Sequence, residues 1–343
     1  MRYVQNTAED VAEMLKTIGV KSIDDLFASV PQDLLAPKDF PFPARLSDPE
    51  LLAHMRGLAA SNVSLGERPS FLGAGCYRHF IPPVVDALQA RGEFLTAYTP
   101  YQPEASQGSL QAFFEFQSMV CELTGLDIAN ASLYDGATAL VEALVMVHAV
   151  KGGERKKLLV SRGIHPEYRR TLKTYYANLP VEIEEVPLGE DGRTPVNEVR
   201  RRAADAVGFA FQSPSFYGTI EDARALAEAA HQAGASAVEI FDPHGVTLIA
   251  PPGETGVDVA CAEGQPLGNY PNFGGPFLGL LAARNEFLRR IPGRIVGQTK
   301  DLDGKVGYVL TLQTREQHIR RERATSNICT NVGLIALRAT FYM

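Results

Sequence analysis

The chain has 343 residues, 45% of them hydrophobic, enough for a large buried core, and its length allows one big domain with smaller pieces attached. A formal net charge of -7 gives no general attraction to nucleic acid or to an anionic membrane surface, and no stretch approaches the roughly 18 continuous apolar residues of a membrane span. Cys76, Cys121, Cys261 and Cys329 lie far apart without a C-x-x-C pair, the histidines lack zinc-type spacing, and the first residues show no basic segment followed by an apolar run; the expectation is a cytoplasmic protein with neither disulfides nor a metal site.

The first 60 or so residues read as a helical arm. Thr7-x-x-Asp10, Ser22-x-x-Asp25 and Ser47-x-x-Glu50 each have the form of an N-terminal capping signature ahead of apolar residues, and Pro31, Pro37, Pro41 and Pro43 separate the second helix from the third. Such an arm has too little core to fold alone and is expected to lie across the main body or a second subunit. The division expected is an arm over 1–70, a large α/β domain over 71–315, and the start of a C-terminal domain over 316–343.

Gly73-Ala74-Gly75 reads either as a close backbone approach to a ligand or partner or as a tight turn. The segment from Phe94 to Gly108 contains two tyrosines, two prolines, Glu104 and Gln107, a stiffened loop holding hydrogen-bonding groups at defined places. Tyr98, Tyr101, Glu104 and Gln107 are its candidate binding groups, with a purely structural loop as the alternative. Beyond it, Leu110, Phe113, Phe114, Gln117, Val120 and Leu123 follow helical spacing, and Gly125 is placed to end that helix.

Ser132 to Thr138 leads from a strand into a helix over Ala139 to Val150. Free N–H groups at such a start suit an anion or phosphate, with Asp135, Gly136 and Thr138 at the turn, although Asp135 or Thr138 serves equally as a plain helix cap. Apolar runs at Lys157 to Val160, Val181 to Val186, Gly208 to Gln212 and Ala237 to Phe241 alternate with helical segments such as Glu221 to Ala233, the pattern of a mainly parallel, doubly wound sheet. Asp242 closes one of these runs, which puts its carboxylate at the carboxyl edge of the sheet, where ligands bind in open α/β folds, although a strand-end Asp serves equally to cap its loop.

From Thr174 to Thr299 there is no lysine. Where an α/β cofactor enzyme of this layout keeps its catalytic lysine, the chain reads Ala262-Glu263-Gly264-Gln265-Pro266-Leu267-Gly268, and Pro266 has no amine with which to form an imine. Asn272 to Pro276 is a second glycine-rich turn, and Gly275 to Ala283 reads as a further buried strand. Arg315, Arg320, Arg321 and Arg323 form either a local positive patch or a solvated helix face. From Ser326 the chain reads as an apolar helix that runs to Met343 without a capping signal, which suggests that a C-terminal small domain is missing from this stretch.

Several of these stretches together resemble the glycine cleavage system P-protein family, in particular the alpha subunit of its two-subunit form. They are Phe71-Leu72-Gly73-Ala74-Gly75, Thr96-Ala97-Tyr98-Thr99-Pro100-Tyr101-Gln102-Pro103-Glu104, Ser106-Gln107-Gly108, Ala129-Asn130-Ala131-Ser132, Tyr134-Asp135-Gly136-Ala137-Thr138, Glu263-Gly264-Gln265, and Arg323-Ala324-Thr325-Ser326-Asn327-Ile328-Cys329-Thr330. The resemblance implies the large domain of a pyridoxal-phosphate-dependent transferase of the aspartate aminotransferase type, fold type I. It also implies a reaction in which glycine is decarboxylated on pyridoxal phosphate and the aminomethyl group passes to the lipoyl arm of the H-protein. In the split form the resemblance puts the lysine and cofactor in the beta subunit of an α2β2 heterotetramer. The alpha subunit then holds no cofactor of its own, Asp135, Gly136, Thr138 and Asp242 are relics of a cofactor site, and Tyr98 to Gln107 reaches the partner's cofactor. The competing expectations are a homomeric pyridoxal-phosphate lyase or transferase using Lys151, Lys173 or Lys300, and a non-catalytic regulatory relative.

Overall fold

The computed structural model describes residues 5–35, 42–95, 99–151, 153–272, 275–324 and 332–343. They fall into two compact units, Met1–Arg68 and Pro69–Met343.

The first unit carries α1 (Ala8–Ile18) and α2 (Asp48–Ala59). Asp10 accepts from the Thr7 backbone N–H at 2.6 Å and hydroxyl at 2.7 Å while the Asp10 N–H donates back to the hydroxyl, and Ser47 and Glu50 repeat the arrangement at α2. Gly19 ends α1 at a φ of 87°, where a side chain would be strained. The middle signature departs from expectation. Asp25 bonds to the Lys21 and Ser22 N–H groups, yet only a single 3-10 turn, Asp24–Phe27, follows. Pro31 lies four residues on, lacks the N–H a helix would need, and pushes its predecessor toward extended backbone, so no full helix fits.

The second unit runs through α3 (Pro83–Gln89), α4 (Gly92–Leu95), α5 (Gln107–Thr124), β1 (Ile128–Ala129), α6 (Gly136–Lys151), β2 (Lys157–Ser161), α7 (Pro166–Tyr176), β3 (Glu182–Val186), α8 (Val196–Arg202), β4 (Ala206–Ser213) and α9 (Ala223–Gln232). It continues with β5 (Ser236–Phe241), α10 (Pro252–Thr255), β6 (Val259–Glu263), β7 (Gly279–Ala283), β8 (Ile295–Lys300), β9 (Val306–Thr311), α11 (Gln317–Arg320) and α12 (Gly333–Tyr342). Seven strands form one sheet in the order β1-β7-β6-β5-β4-β2-β3. Strands β3, β2, β4, β5 and β6 run parallel, and β7 is antiparallel to both of its neighbours. β8 and β9 form a separate antiparallel hairpin in which Gln298 stands opposite Tyr308.

Parallel strands covered by helices on both faces must be apolar throughout, and β5 through β7 are buried almost end to end. Leu140, Leu144 and Val147 of α6 and Leu172 of α7 pack with Leu158, Val160 and Val238. Phe209, Phe211 and Leu159 pack with Val199 of α8 and Leu226 of α9. Phe116 and Val120 of α5 meet Leu280, Ala282 and Ala336 of α12 in a third cluster. This layering points the carboxyl ends of β4, β5 and β6 toward one edge. Strand β7 begins at Gly279, later than the Gly275 expected, because Pro276 cannot donate a ladder hydrogen bond. Among the described residues no helix is long and apolar enough to cross a membrane.

Candidate active site

A cavity of about 480 Å³ opens at the carboxyl ends of β4, β5 and β6, with Tyr77, His165, Gln212, Asp242, Glu263 and Pro266 in its lining. Asp242 and Pro266, two residues that stand apart in the sequence, thus share one wall system. Asp242 follows the last residue of β5, and its Oδ1 accepts from the N–H groups of His244 at 2.8 Å and Gly245 at 2.7 Å, which turns the chain sharply out of the strand. His244 stacks on His79 with ring centroids 4.2 Å apart and 12° between the planes, and its Nε2 lies 3.4 Å from the Pro266 carbonyl. Burial, with the neighbouring His244 adding to it, holds the His79 imidazole below its ordinary range, while Asp242 pulls the other way.

His165 caps α7 and ties it to the glycine turn. Its Nδ1 accepts from the Glu167 N–H at 3.1 Å, so in the neutral ring the proton sits on Nε2, which donates to the Ala74 carbonyl at 3.1 Å. That carbonyl is aimed by three successive left-handed residues, Gly73, Ala74 and Gly75, with φ of 67°, 63° and 83°. The turn therefore approaches the cavity wall closely, and Gly75 is part of that wall.

The start of α6 is the second element of the site. Asp135 Oδ1 accepts from the Thr138 N–H at 2.8 Å, and the Asp135 N–H donates to Thr138 Oγ1 at 3.2 Å, a reciprocal cap. The Gly136 N–H points elsewhere and donates to Glu263 Oε2 at 2.9 Å. The other oxygen of Glu263 accepts from Gln265 N–H at 2.8 Å and Leu278 N–H at 2.9 Å. A Cβ at Gly136 would stand 2.2 Å from the Tyr168 hydroxyl oxygen and 2.8 Å from the Glu263 nitrogen, so the helix start is packed without a gap. Burial, outweighing the three N–H donors, pushes the Glu263 carboxyl up to about 7.

A phosphorylated carbonyl cofactor needs an amine for its imine and open donors for its phosphate. Pro266 offers no amine, and Glu263 already holds the α6 terminus, so this pocket does not fit pyridoxal phosphate. Other lysines do not supply the amine: Lys151 pairs with Glu286 and Lys173 with Glu185, each at 2.7 Å, and neither they nor Lys300 line the cavity.

The tyrosine-rich loop lies outside the cavity lining. Tyr98 falls outside the described residues. Tyr101 accepts from Arg294 Nη2 at 2.8 Å through its hydroxyl, carries the Arg294 guanidinium 5.1 Å from its ring centre, and meets His318 edge-on. Glu104 is exposed in a 3-10 turn. Gln107 donates to the Tyr308 carbonyl at 2.9 Å and accepts from the Tyr308 N–H at 2.9 Å, so its amide is bonded along β9. The arginine cluster divides as well. Arg315 is buried and donates to the Ile291 and Gly293 carbonyls, leaving Arg320, Arg321 and Arg323 exposed.

Glu263, Tyr168, His165 and His79 escape sequence reasoning as parts of the site. Glu263 alone carries a signal, an acid closing an apolar strand, the same pattern that draws attention to Asp242.

The family profile described as "Glycine cleavage system P-protein" matches residues 1–343. The chain is 52% identical over 344 residues to the "Probable glycine dehydrogenase (decarboxylating) subunit 1" of Moorella thermoacetica, covering 100% of this chain and 76% of that one. Among solved structures it is similar to a glycine decarboxylase (P-protein) of the glycine cleavage system in inhibitor-bound form, with a TM-score of 0.90, 47% identity, and coverage of 100% of this chain and 76% of that one. A sphingosine-1-phosphate lyase from Burkholderia pseudomallei, at a TM-score of 0.59 and 17% identity over 91% of this chain and 71% of the other, shares the fold alone. The α/β architecture is that of the pyridoxal-phosphate-dependent fold type I enzymes. With a family match over its whole length and close identity to a subunit 1 protein, the chain belongs to the glycine cleavage system P-protein family.

Proposed function

We propose that this chain is the subunit without the cofactor lysine in a two-subunit glycine decarboxylase, an oxidoreductase component of glycine cleavage. A second subunit of similar fold holds pyridoxal phosphate on its own lysine, and the two assemble in the cytoplasm, most simply as α2β2. The complex removes the glycine carboxyl group as CO2 and passes the aminomethyl group to the lipoyl group of the H-protein. The observation that carries this reading is Pro266 in the wall of the strand-end cavity beside Asp242, a pocket of cofactor-enzyme layout without its amine. The division of labour follows from chemistry: the imine-forming group must come from elsewhere, and this chain is left to complete and brace the joint site. The pairing of Lys151 and Lys173 with surface carboxylates argues against a homomeric enzyme that uses its own lysine.

The test is reconstitution. The purified chain with added pyridoxal phosphate is expected to yield no pyridoxyl-lysine peptide after borohydride reduction and no exchange of labelled bicarbonate into glycine. Mixed with the second subunit and lipoylated H-protein, it is expected to support exchange, with the adduct on the other polypeptide. Exchange by this chain alone, or an adduct on one of its lysines, overturns the proposal.

A further inference from the structure

We infer that Glu263 is a built-in substitute for a cofactor phosphate: its carboxylate occupies the anion-binding start of α6 and keeps phosphorylated cofactors out of this chain's own pocket. The inference rests on the reading of the chain as the P-protein subunit that lacks the cofactor lysine, and it adds the residue that enforces the division of labour.

Helix α6 has 16 residues and is deeply buried, so the partial positive charge of its first turn favours anionic groups near it, the Asp135 carboxylate at the cap being one. Asp135 and Thr138 satisfy each other at the cap, and the Gly136 N–H is one of the first-turn donors directed away from the helix. Glu263 meets it from the end of β6, and the same carboxylate is held by the N–H groups of Gln265 and Leu278, at the two ends of the β6–β7 connection. Three N–H groups, one from its own turn and two from other segments, fix one buried carboxylate, an arrangement made by the fold and not by a flexible side chain settling on a surface. Tyr168 closes the remaining side, with its hydroxyl where a Gly136 Cβ would be. The cavity lining adds a second acid, Asp242, and contains no lysine or arginine among the described residues. A phosphate dianion would therefore enter next to two acidic side chains with no cation to offset them, and only by displacing one that already has its donors.

The experiment compares the full chain with its Glu263→Gly and Glu263→Ser variants, titrated with pyridoxal phosphate, pyridoxal and inorganic phosphate, and followed by fluorescence quenching and thermal shift. The wild type is expected to show no saturable binding of any of the three. The variants are expected to bind pyridoxal phosphate more tightly by about tenfold or more, on the order of one charge-assisted hydrogen bond. Inorganic phosphate should compete, and pyridoxal should show no gain. A variant with native circular dichroism and a cooperative melt but no gain overturns the inference, as does a wild type that binds phosphate as well as the variants do. Should both variants fail to fold, the wild type decides alone: stabilisation by inorganic phosphate overturns the inference, and its absence together with that collapse supports Glu263 as the group seated on α6. A borohydride-trapped adduct on the wild-type chain would instead overturn the preceding proposal, so the two failures are distinct.

Discussion

Glu239 sits in the middle of β5, 2% exposed, and its Oε2 has no hydrogen-bond partner among the described residues. Burial pushes its carboxyl from the ordinary 4.5 up to about 8. The folded chain therefore holds this proton more tightly than the unfolded chain does. The stability it contributes is fully present below about pH 4.5 and is lost as pH rises toward 8. Glu263, raised to about 7, adds to the same slope over the lower part of that window. Thermal melts at pH 5 and pH 8 should show the wild type losing stability at the higher pH and Glu239→Gln losing less; equal losses would contradict this account. None of this was legible in the sequence, where an acid inside an apolar run gives no sign of whether its strand is central or at the edge. Asp242 was legible because it ends its run, and the end of a parallel strand has a fixed place in the fold. Pro266 was readable as an absence, the lack of an amine, which requires no geometry.

At the scale of elements, close approach decides where side chains are tolerated. Gly125 ends α5 at a φ of 67°, and a Cβ on Gly253 in α10 would stand 2.1 Å from its carbonyl oxygen. Two backbone segments touch there, so no side chain can turn aside. Gly253→Ala should destabilise the second unit by about 1–3 kcal/mol through overpacking. The same substitution at Gly57, inside the exposed helix α2 with nothing within 4 Å, should stabilise that helix by about 0.5–1 kcal/mol. Urea unfolding of the two variants checks the opposite signs, and a neutral Gly253→Ala would show that α10 can shift. The alternation of strands and helices was legible almost throughout because each burial pattern repeats over many residues. The second helix of the arm was misread because the Ser22 cap signals a start but not a length, and Pro31 limits the length. The contacts of the Tyr101 loop could not be read at all, since Arg294 and Tyr308 lie about two hundred positions away.

Taken as a whole molecule, the chain combines a second unit with an extensive core and a first unit whose helices bury no residue. Met14, Ile18, Leu51, Leu52, Met55 and Leu58 of those helices are all exposed. A protein that binds a partner in its folded state gains stability by mass action, so the melting temperature of this chain should rise with increasing concentration of the second P-protein subunit. A melting temperature indifferent to that subunit would argue against assembly. Composition and charge could set the class of the molecule but not its need for company, because an apolar helix face reads the same whether it is covered by its own chain or by another. One restriction on assembly is built in. The outward amide and carbonyl of Tyr308, halfway along β9, are both engaged by the Gln107 carboxamide, a side chain behaving as a rung of sheet. An incoming extended peptide finds no vacancy at that point, and Gln117 engages the amide and carbonyl of Val296 on β8 in the same way, so two glutamines of α5 guard the hairpin against ribbon-to-ribbon polymerisation.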